Sequence, residues 1–265
     1  MKHANNLAVD FGSLPPNPSD ALSLAASNTS WLGLDNWKTL FRATYPEPIR
    51  ELQIATGYKA DSNLVTPDPE FMRVCLTTAS QRVRDALREK VLVEEDPGEF
   101  LWLIARKLDF RVKPGVEEAL AEIVENERMG LCKFLDVSPE LRRFRQLGVK
   151  LALVSNAWPF PMPQIFNEAE GGLSVGDFDQ LILSYDVGHS KGPEFYQEML
   201  RRCEANDSRT CTMLGDNPDL DVRAAMAVGI RAVLLDRYGD CKDRVPGVPV
   251  IRQLKQLFAS DTTNA

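Results

Sequence analysis

The sequence predicts an α/β fold: a Rossmann-like parallel sheet with an α-helical domain inserted near its N-terminal end. Three observations carry this. From about Ser138 onward, short apolar runs alternate with segments of helical periodicity, the pattern of a parallel sheet covered on both faces. From about Pro18 to Leu131 the periodicity is helical throughout. Ahead of that block stands a short apolar run, Leu7–Val9, which reads as a first strand separated from the rest of its sheet.

The elements follow in order. Pro15-Pro16-Asn17-Pro18 reads as a linker into the helical block. Met72, Leu76, Ala79, Val83 and Leu87 recur in threes and fours across Glu70–Val93, giving one long amphipathic helix. Phe100–Leu108 and Val116–Val124 give two more. Ser138 suits a helix N-cap, Pro139 its first turn and Gly148 its end. Strands are expected at Lys150–Val154, Gln180–Leu183, Cys211–Leu214 and Ile230–Leu235. Between them, Pro193 opens a helix whose Phe195, Tyr196, Met199, Leu200 and Cys203 share a face, and Asn217-Pro218 opens another that Gly229 closes. The expected domains are an α/β core of residues 1–17 and 132–265 and a helical insert of residues 18–131.

Composition narrows the function. The chain of 265 residues is 44% hydrophobic and 26% charged, with a net charge of −7. That is an ordinary globular mixture with no basic footprint for nucleic acid or an anionic membrane. The first residues lack the apolar core of a signal peptide, and no run is long enough to span a bilayer. Five widely spaced cysteines form no metal-ligand or disulfide pattern, so reduced thiols and a cytoplasmic location are expected.

In an open parallel sheet, ligands bind beyond the carboxyl ends of the strands. Asp10 follows Leu7–Val9, and Ser155-Asn156 follow Lys150–Val154. Lys191 lies shortly after Gln180–Leu183, and Gly215-Asp216, Asp219 and Asp221 follow Cys211–Leu214. A carboxylate, a hydroxyl, a lysine and a carboxylate cluster thus collect at one edge. Each has a plain structural reading when taken singly: Asp10 as a turn residue, Ser155 as a strand-end cap, Lys191 as a surface lysine, and Asp216 as a helix cap. His3 and His189 have no evident catalytic setting. The four tryptophans read as packing, except Trp158, which stands at the rim two residues past Asn156.

Order and spacing together resemble the four motifs of the haloacid dehalogenase superfamily. The most specific segment is Leu214 to Gly229 (LGDNPDLDVRAAMAVG), similar to that family's GDxxxxD motif and following helix. Ser184-x-x-x-Gly188-x-x-Lys191 is similar to its lysine motif, Val154-Ser155-Asn156 to its hydroxyl motif, and the helical insert to its commonest cap domain. The resemblance implies a Mg2+-dependent phosphomonoesterase acting on a small phosphorylated metabolite, such as a sugar phosphate. Asp10 would be the nucleophile, forming an aspartyl-phosphate. Asp10, Asp216, Asp221 and the main-chain carbonyl of Gly12 would surround the metal. Ser155, Asn156 and Lys191 would hold the phosphate, with Lys191 neutralising its charge.

Two departures matter. Phosphatases of the family carry a second aspartate two residues after the nucleophile, where it protonates the leaving group; counted from Asp10, that position is Gly12. Lys191-Gly192-Pro193 also shortens the usual segment after the lysine. A missing acid favours substrates with good leaving groups, such as anomeric sugar, acyl and aryl phosphates, unless an insert carboxylate such as Asp20 or Asp35 supplies the proton. The alternative is a catalytically reduced protein that binds a phosphorylated ligand or a protein partner.

Overall fold

The computed structural model describes residues 28–42, 48–59, 68–79, 81–89, 96–109, 111–129, 131–157, 162–168, 171–239 and 241–257. Leu7–Val9, Asp10, Gly12, Asp20 and Trp158 lie outside the described residues.

A six-stranded sheet forms the core: β1 (Trp31–Leu34), β4 (Lys150–Ser155), β5 (Gln180–Leu183), β6 (Cys211–Gly215), β7 (Arg231–Leu235) and β8 (Val250–Ile251), in the order β5-β4-β1-β6-β7-β8. All of these pairings are parallel. β1 is central. Its Leu32 pairs with Leu151 on one side and Thr212 on the other. The parallel sheet expected from the alternation of strands and helices is therefore present, with one extra strand at the β8 edge.

The sheet is buried on both faces, as parallel sheets require. On one face Leu32, Leu34, Leu151, Leu153, Leu214, Val233 and Leu235 pack with Val137, Leu141 and Phe144 of the helix Val137–Gln146. On the other, Trp31, Ala152, Val154 and Met213 pack with Phe195, Tyr196 and Met199 of the helix Pro193–Arg202. The shared face expected for that helix is the one that is buried.

The N-terminal part differs from the expected all-helical block in two ways. Trp31–Leu34 is the central strand, inside the stretch from residue 18 to 131. Phe41–Arg42 (β2) pairs antiparallel with Cys132–Lys133 (β3), tying the start of the helical segment to its end. Between them lie Pro48–Thr56, Pro69–Thr77, Gln81–Arg88, Pro97–Leu108 and Val116–Met129. The single helix expected over Glu70–Val93 is two, because the first ends at Thr77 with Thr78 as its C-cap. The two then serve different cores. Phe71, Val74, Cys75 and Leu76 pack with Leu52, Phe100, Ile104 and Leu120 among the helices, whereas Ala79 and Val83 join the sheet's apolar cluster. An ion pair from Arg88 to Asp186, 2.8 Å, also ties the helical segment to the sheet. No helix among the described residues is long and apolar enough to cross a membrane.

Gly33 sits at the centre of β1 where the sheet and its covering helix meet. A Cβ there would stand 2.9 Å from Met199 Cε and 3.1 Å from Met213 Sδ and Val154 Cγ2. Overpacking of this kind costs about 1–3 kcal/mol. Gly33→Ala should therefore lower unfolding free energy by about that amount in denaturant titrations, with an unchanged m-value.

Candidate active site

The carboxyl ends of three adjacent strands converge. β1 delivers Asp35, whose amide donates to Leu214 O at 2.9 Å and so locks the start of its loop to β6. β4 delivers Ser155 and Asn156. β6 ends at Gly215, and Asp216 and Asn217 follow. Asn217 caps a π-helical turn, Pro218–Arg223, by accepting from the Asp219 and Leu220 amides. That wider turn brings Asp221 back under the strand end, where its Oδ2 accepts from the Asn217 amide at 2.9 Å. The approach is close: a Cβ at position 215 would lie 2.2 Å from Asp221 Oδ2, so only glycine fits there.

Lys191 joins the strand ends. Its Nζ donates to Asp35 Oδ1 and, at 2.5 Å, to Asp221 Oδ1. Its own amide donates to Asn156 Oδ1 at 2.8 Å. Lys191, Asp35 and Asp221 are all buried, with 7%, 4% and 1% of their surface exposed. Ligand oxygens of Asp35, Asp216 and Asp221 lie within 4.8 Å of one another. Three carboxylates around one ammonium leave excess negative charge. Hard oxygen donors at that spacing suit a divalent cation.

The electrostatics agree. Burial pushes the Asp35 carboxyl up to about 8; Lys191 offsets part of this, and Asp221 and Asp216 add to it. Burial, then repulsion from Asp221, raises Asp216 to about 6. Burial alone would lower Lys191, but Asp221 and Asp35 outweigh it and hold the ammonium protonated.

Of the residues singled out in the sequence, Ser155, Asn156, Lys191, Asp216 and Asp221 gather at this edge, whereas Asp10 and Gly12 lie outside the described residues. Asp219 stands apart, exposed and paired with Arg223. Besides Asp221, Lys191 contacts Asp35, which the sequence suggests only as a proton donor. A signal for it exists in the sequence: Trp31–Leu34 is an apolar run ending in an aspartate, as Leu7–Val9 is. The residue two beyond Asp35 is Trp37, whose indole Nε1 donates to Asn156 O at 3.3 Å. Trp37 packs against the sheet's apolar cluster, as expected of the tryptophans, and also reaches the site.

A parallel sheet with a lysine-bridged carboxylate cluster at its carboxyl edge defines the class. A family profile for haloacid dehalogenase-like hydrolases matches residues 64–229, well over half of the chain, and the chain belongs to that family. A phosphoserine phosphatase from Thermus thermophilus is 30% identical over 119 residues, covering 44% of this chain and 46% of that protein, so the match spans under half of the relative's length. Among solved structures, a HAD family enzyme from Bacteroides thetaiotaomicron superposes with a TM-score of 0.54 at 15% identity. That structure is an aspartate-to-alanine mutant in complex with magnesium and inorganic phosphate, and the match covers 81% of this chain and 97% of that one. The HAD-hydrolase YfnB from Bacillus subtilis, bound to magnesium, superposes with a TM-score of 0.50 at 16% identity, covering 87% and 97%. At these identities the two structures speak to the fold.

A carboxyl whose pKa is raised on folding binds more protons folded than unfolded, so its contribution to stability falls as pH rises. For Asp35 the window runs from 3.8 to about 8. In chelator, the melting temperature of the wild type minus that of Asp35→Asn should decline as pH rises through that window. A pH-independent difference would show that the Asp35 carboxyl is not raised.

Proposed function

We propose that this chain is a magnesium-dependent phosphatase of small phosphorylated metabolites, with Asp35 rather than Asp10 as its nucleophile. The observation that carries this reading is the contact of Asp35 with Lys191 at the end of the central strand, within 4.8 Å of Asp216 and Asp221. Asp10 lies outside the described residues.

The chemistry follows from the geometry. Asp35 attacks phosphorus as the bond to the leaving-group oxygen breaks, giving an aspartyl-phosphate that water then hydrolyses. Lys191 holds Asp35 in orientation and offsets charge on the phosphoryl oxygens. Ser155 Oγ and the Asn156 amide take the remaining phosphate oxygens. Among the described residues the Ser155 hydroxyl is held by a long 3.4 Å bond to Asn156 O, which a phosphate oxygen readily replaces. Asp35, Asp216 and Asp221 would hold magnesium, with the main-chain carbonyl of Trp37 in the role that counting from Asp10 gives to Gly12. When bound, the metal supplies positive charge between the nucleophile and the phosphate.

Trp37 thus occupies the position of the second aspartate. An indole has no proton to give at neutral pH, so the substrate class inferred from Gly12 carries over to Asp35. Anomeric sugar, acyl and aryl phosphates fit, because their leaving groups depart without protonation.

The test is a pair of variants assayed with p-nitrophenyl phosphate and magnesium. Asp35→Asn should lose activity by at least about 10³-fold while remaining folded, and Asp10→Asn should keep it. The reverse pattern would restore Asp10 as nucleophile. Wild-type protein that turns over no phosphate ester would favour the catalytically reduced reading instead.

A further inference from the structure

Beside the cluster stands a second lysine that the mechanism above leaves unused. Lys38 follows Trp37 in the loop after β1, and its backbone is left-handed, with φ of 55°. Side-chain-bearing residues avoid that region unless their surroundings impose it, and such outliers gather at functional sites. Here the loop is over-determined. Lys38 N donates to Phe41 O at 2.6 Å, and Leu40 N and Phe41 N both donate to Asn36 O, at 2.8 and 2.9 Å. The Arg237 guanidinium holds Thr39 O at 2.8 and 3.0 Å.

The side chain contrasts with this fixed backbone. It is 64% exposed, and its Nζ lies 4.0 Å from Asp216 Oδ2, too far for a hydrogen bond. Lys191 is already engaged by two carboxylates, whereas Lys38 Nζ makes no hydrogen bond among the described residues and only the loose ion pair with Asp216. Its neighbour Trp37 fills the position from which an acid would serve the departing group.

We propose that Lys38 is a catalytic residue that donates a charge-assisted hydrogen bond to the leaving-group oxygen, compensating for the acid that Trp37 replaces. This rests on the phosphatase reading above. As the Asp35 oxygen–phosphorus bond forms, the bond from phosphorus to the leaving-group oxygen breaks and its electron pair stays on that oxygen. Lys38 keeps its proton and stabilises the resulting oxyanion, which leaves as an aryloxide or carboxylate. No further reactant is needed.

The experiment compares dinitrophenyl, p-nitrophenyl and phenyl phosphates on wild type, Lys38→Met, Lys38→Arg and Lys38→Gly, with magnesium. Lys38→Met should lose about tenfold or more in kcat/KM on phenyl phosphate but under about threefold on dinitrophenyl phosphate, so that its dependence on leaving-group pKa steepens. Lys38→Arg should restore most of the phenyl phosphate rate. Lys38→Gly should melt higher, because glycine adopts the left-handed backbone freely, yet share the steepened dependence. Affinity for inorganic phosphate, read by calorimetry, should be unchanged in Lys38→Met, because phosphate carries no leaving group. A loss uniform across the series, no loss at all, or a parallel loss of phosphate affinity overturns the proposal while leaving the phosphatase reading standing. If the wild type shows no Asp35-dependent turnover, both fall.

Discussion

The structure turns on one buried ammonium. Lys191 sits between Asp35 and Asp221 with almost no solvent, and each partner comes from a different strand end. Burying these charges is expensive, and the arrangement holds only because every group has close partners. Removing the lysine would leave two buried carboxylates facing each other, with Asp216 nearby. Such a cluster is poorly suited to stabilising a fold, since apolar residues of the same volume would do so as well or better. Its residual negative charge instead favours cations, which makes it a site rather than a staple.

Much of the surrounding geometry serves that contact. Gly215 lacks a Cβ so that Asp221 can come beneath the strand. The π-helical turn widens the backbone just where Asp221 must point back, and such turns concentrate at functional positions. Asn156 accepts the Lys191 amide with its side chain and the Trp37 indole with its carbonyl, so the end of β4 fixes both Lys191 and Trp37. The left-handed backbone at Lys38 lies in a loop clamped from β7's side by Arg237. These devices act on positions a few residues beyond three strands, so that strand-end loops are tied to one another by hydrogen bonds.

What the sequence made legible follows the same physics. Ser155, Asn156, Lys191, Asp216 and Asp221 could be found because each follows an apolar run of a parallel strand, and such strands advertise themselves by continuous burial. The first strand could not be chosen that way. Leu7–Val9 before Asp10 and Trp31–Leu34 before Asp35 are both short apolar runs ending in aspartate. Glycine weakens a strand interior in general, so Gly33 counts against Trp31–Leu34 when pattern alone is weighed. Yet glycine is the residue that the packing demands, with Met199, Met213 and Val154 crowding the same point. The break at Thr78 was hidden for a related reason. Helical spacing runs on through Ala79 and Val83, but periodicity reports only that a face is apolar, not which of two cores it meets. The two-residue strand Val250–Ile251 carries too little pattern to read.

With Asp35 as the proposed nucleophile, Trp37 would stand where an acid otherwise serves the leaving group, and binding and reaction would then be divided differently. Where an enzyme protonates its leaving group, the identity of that group matters mainly for binding. Where it does not, the leaving group's own basicity enters the rate directly. On the proposed phosphatase reading, selection among phosphate esters would then begin in the chemistry of the core rather than in the helical segment. Trp37 adds a second constraint on that reading: its indole is tethered to Asn156 O and its ring packs against the sheet's apolar cluster, so what it offers a leaving group would be fixed and largely apolar. A flexible, strongly hydrated alkyl alcohol gains little there, whereas a planar or ring-shaped leaving group can lie against it. On that reading reactivity and shape would select in the same direction, towards ring-bearing leaving groups that depart without a proton.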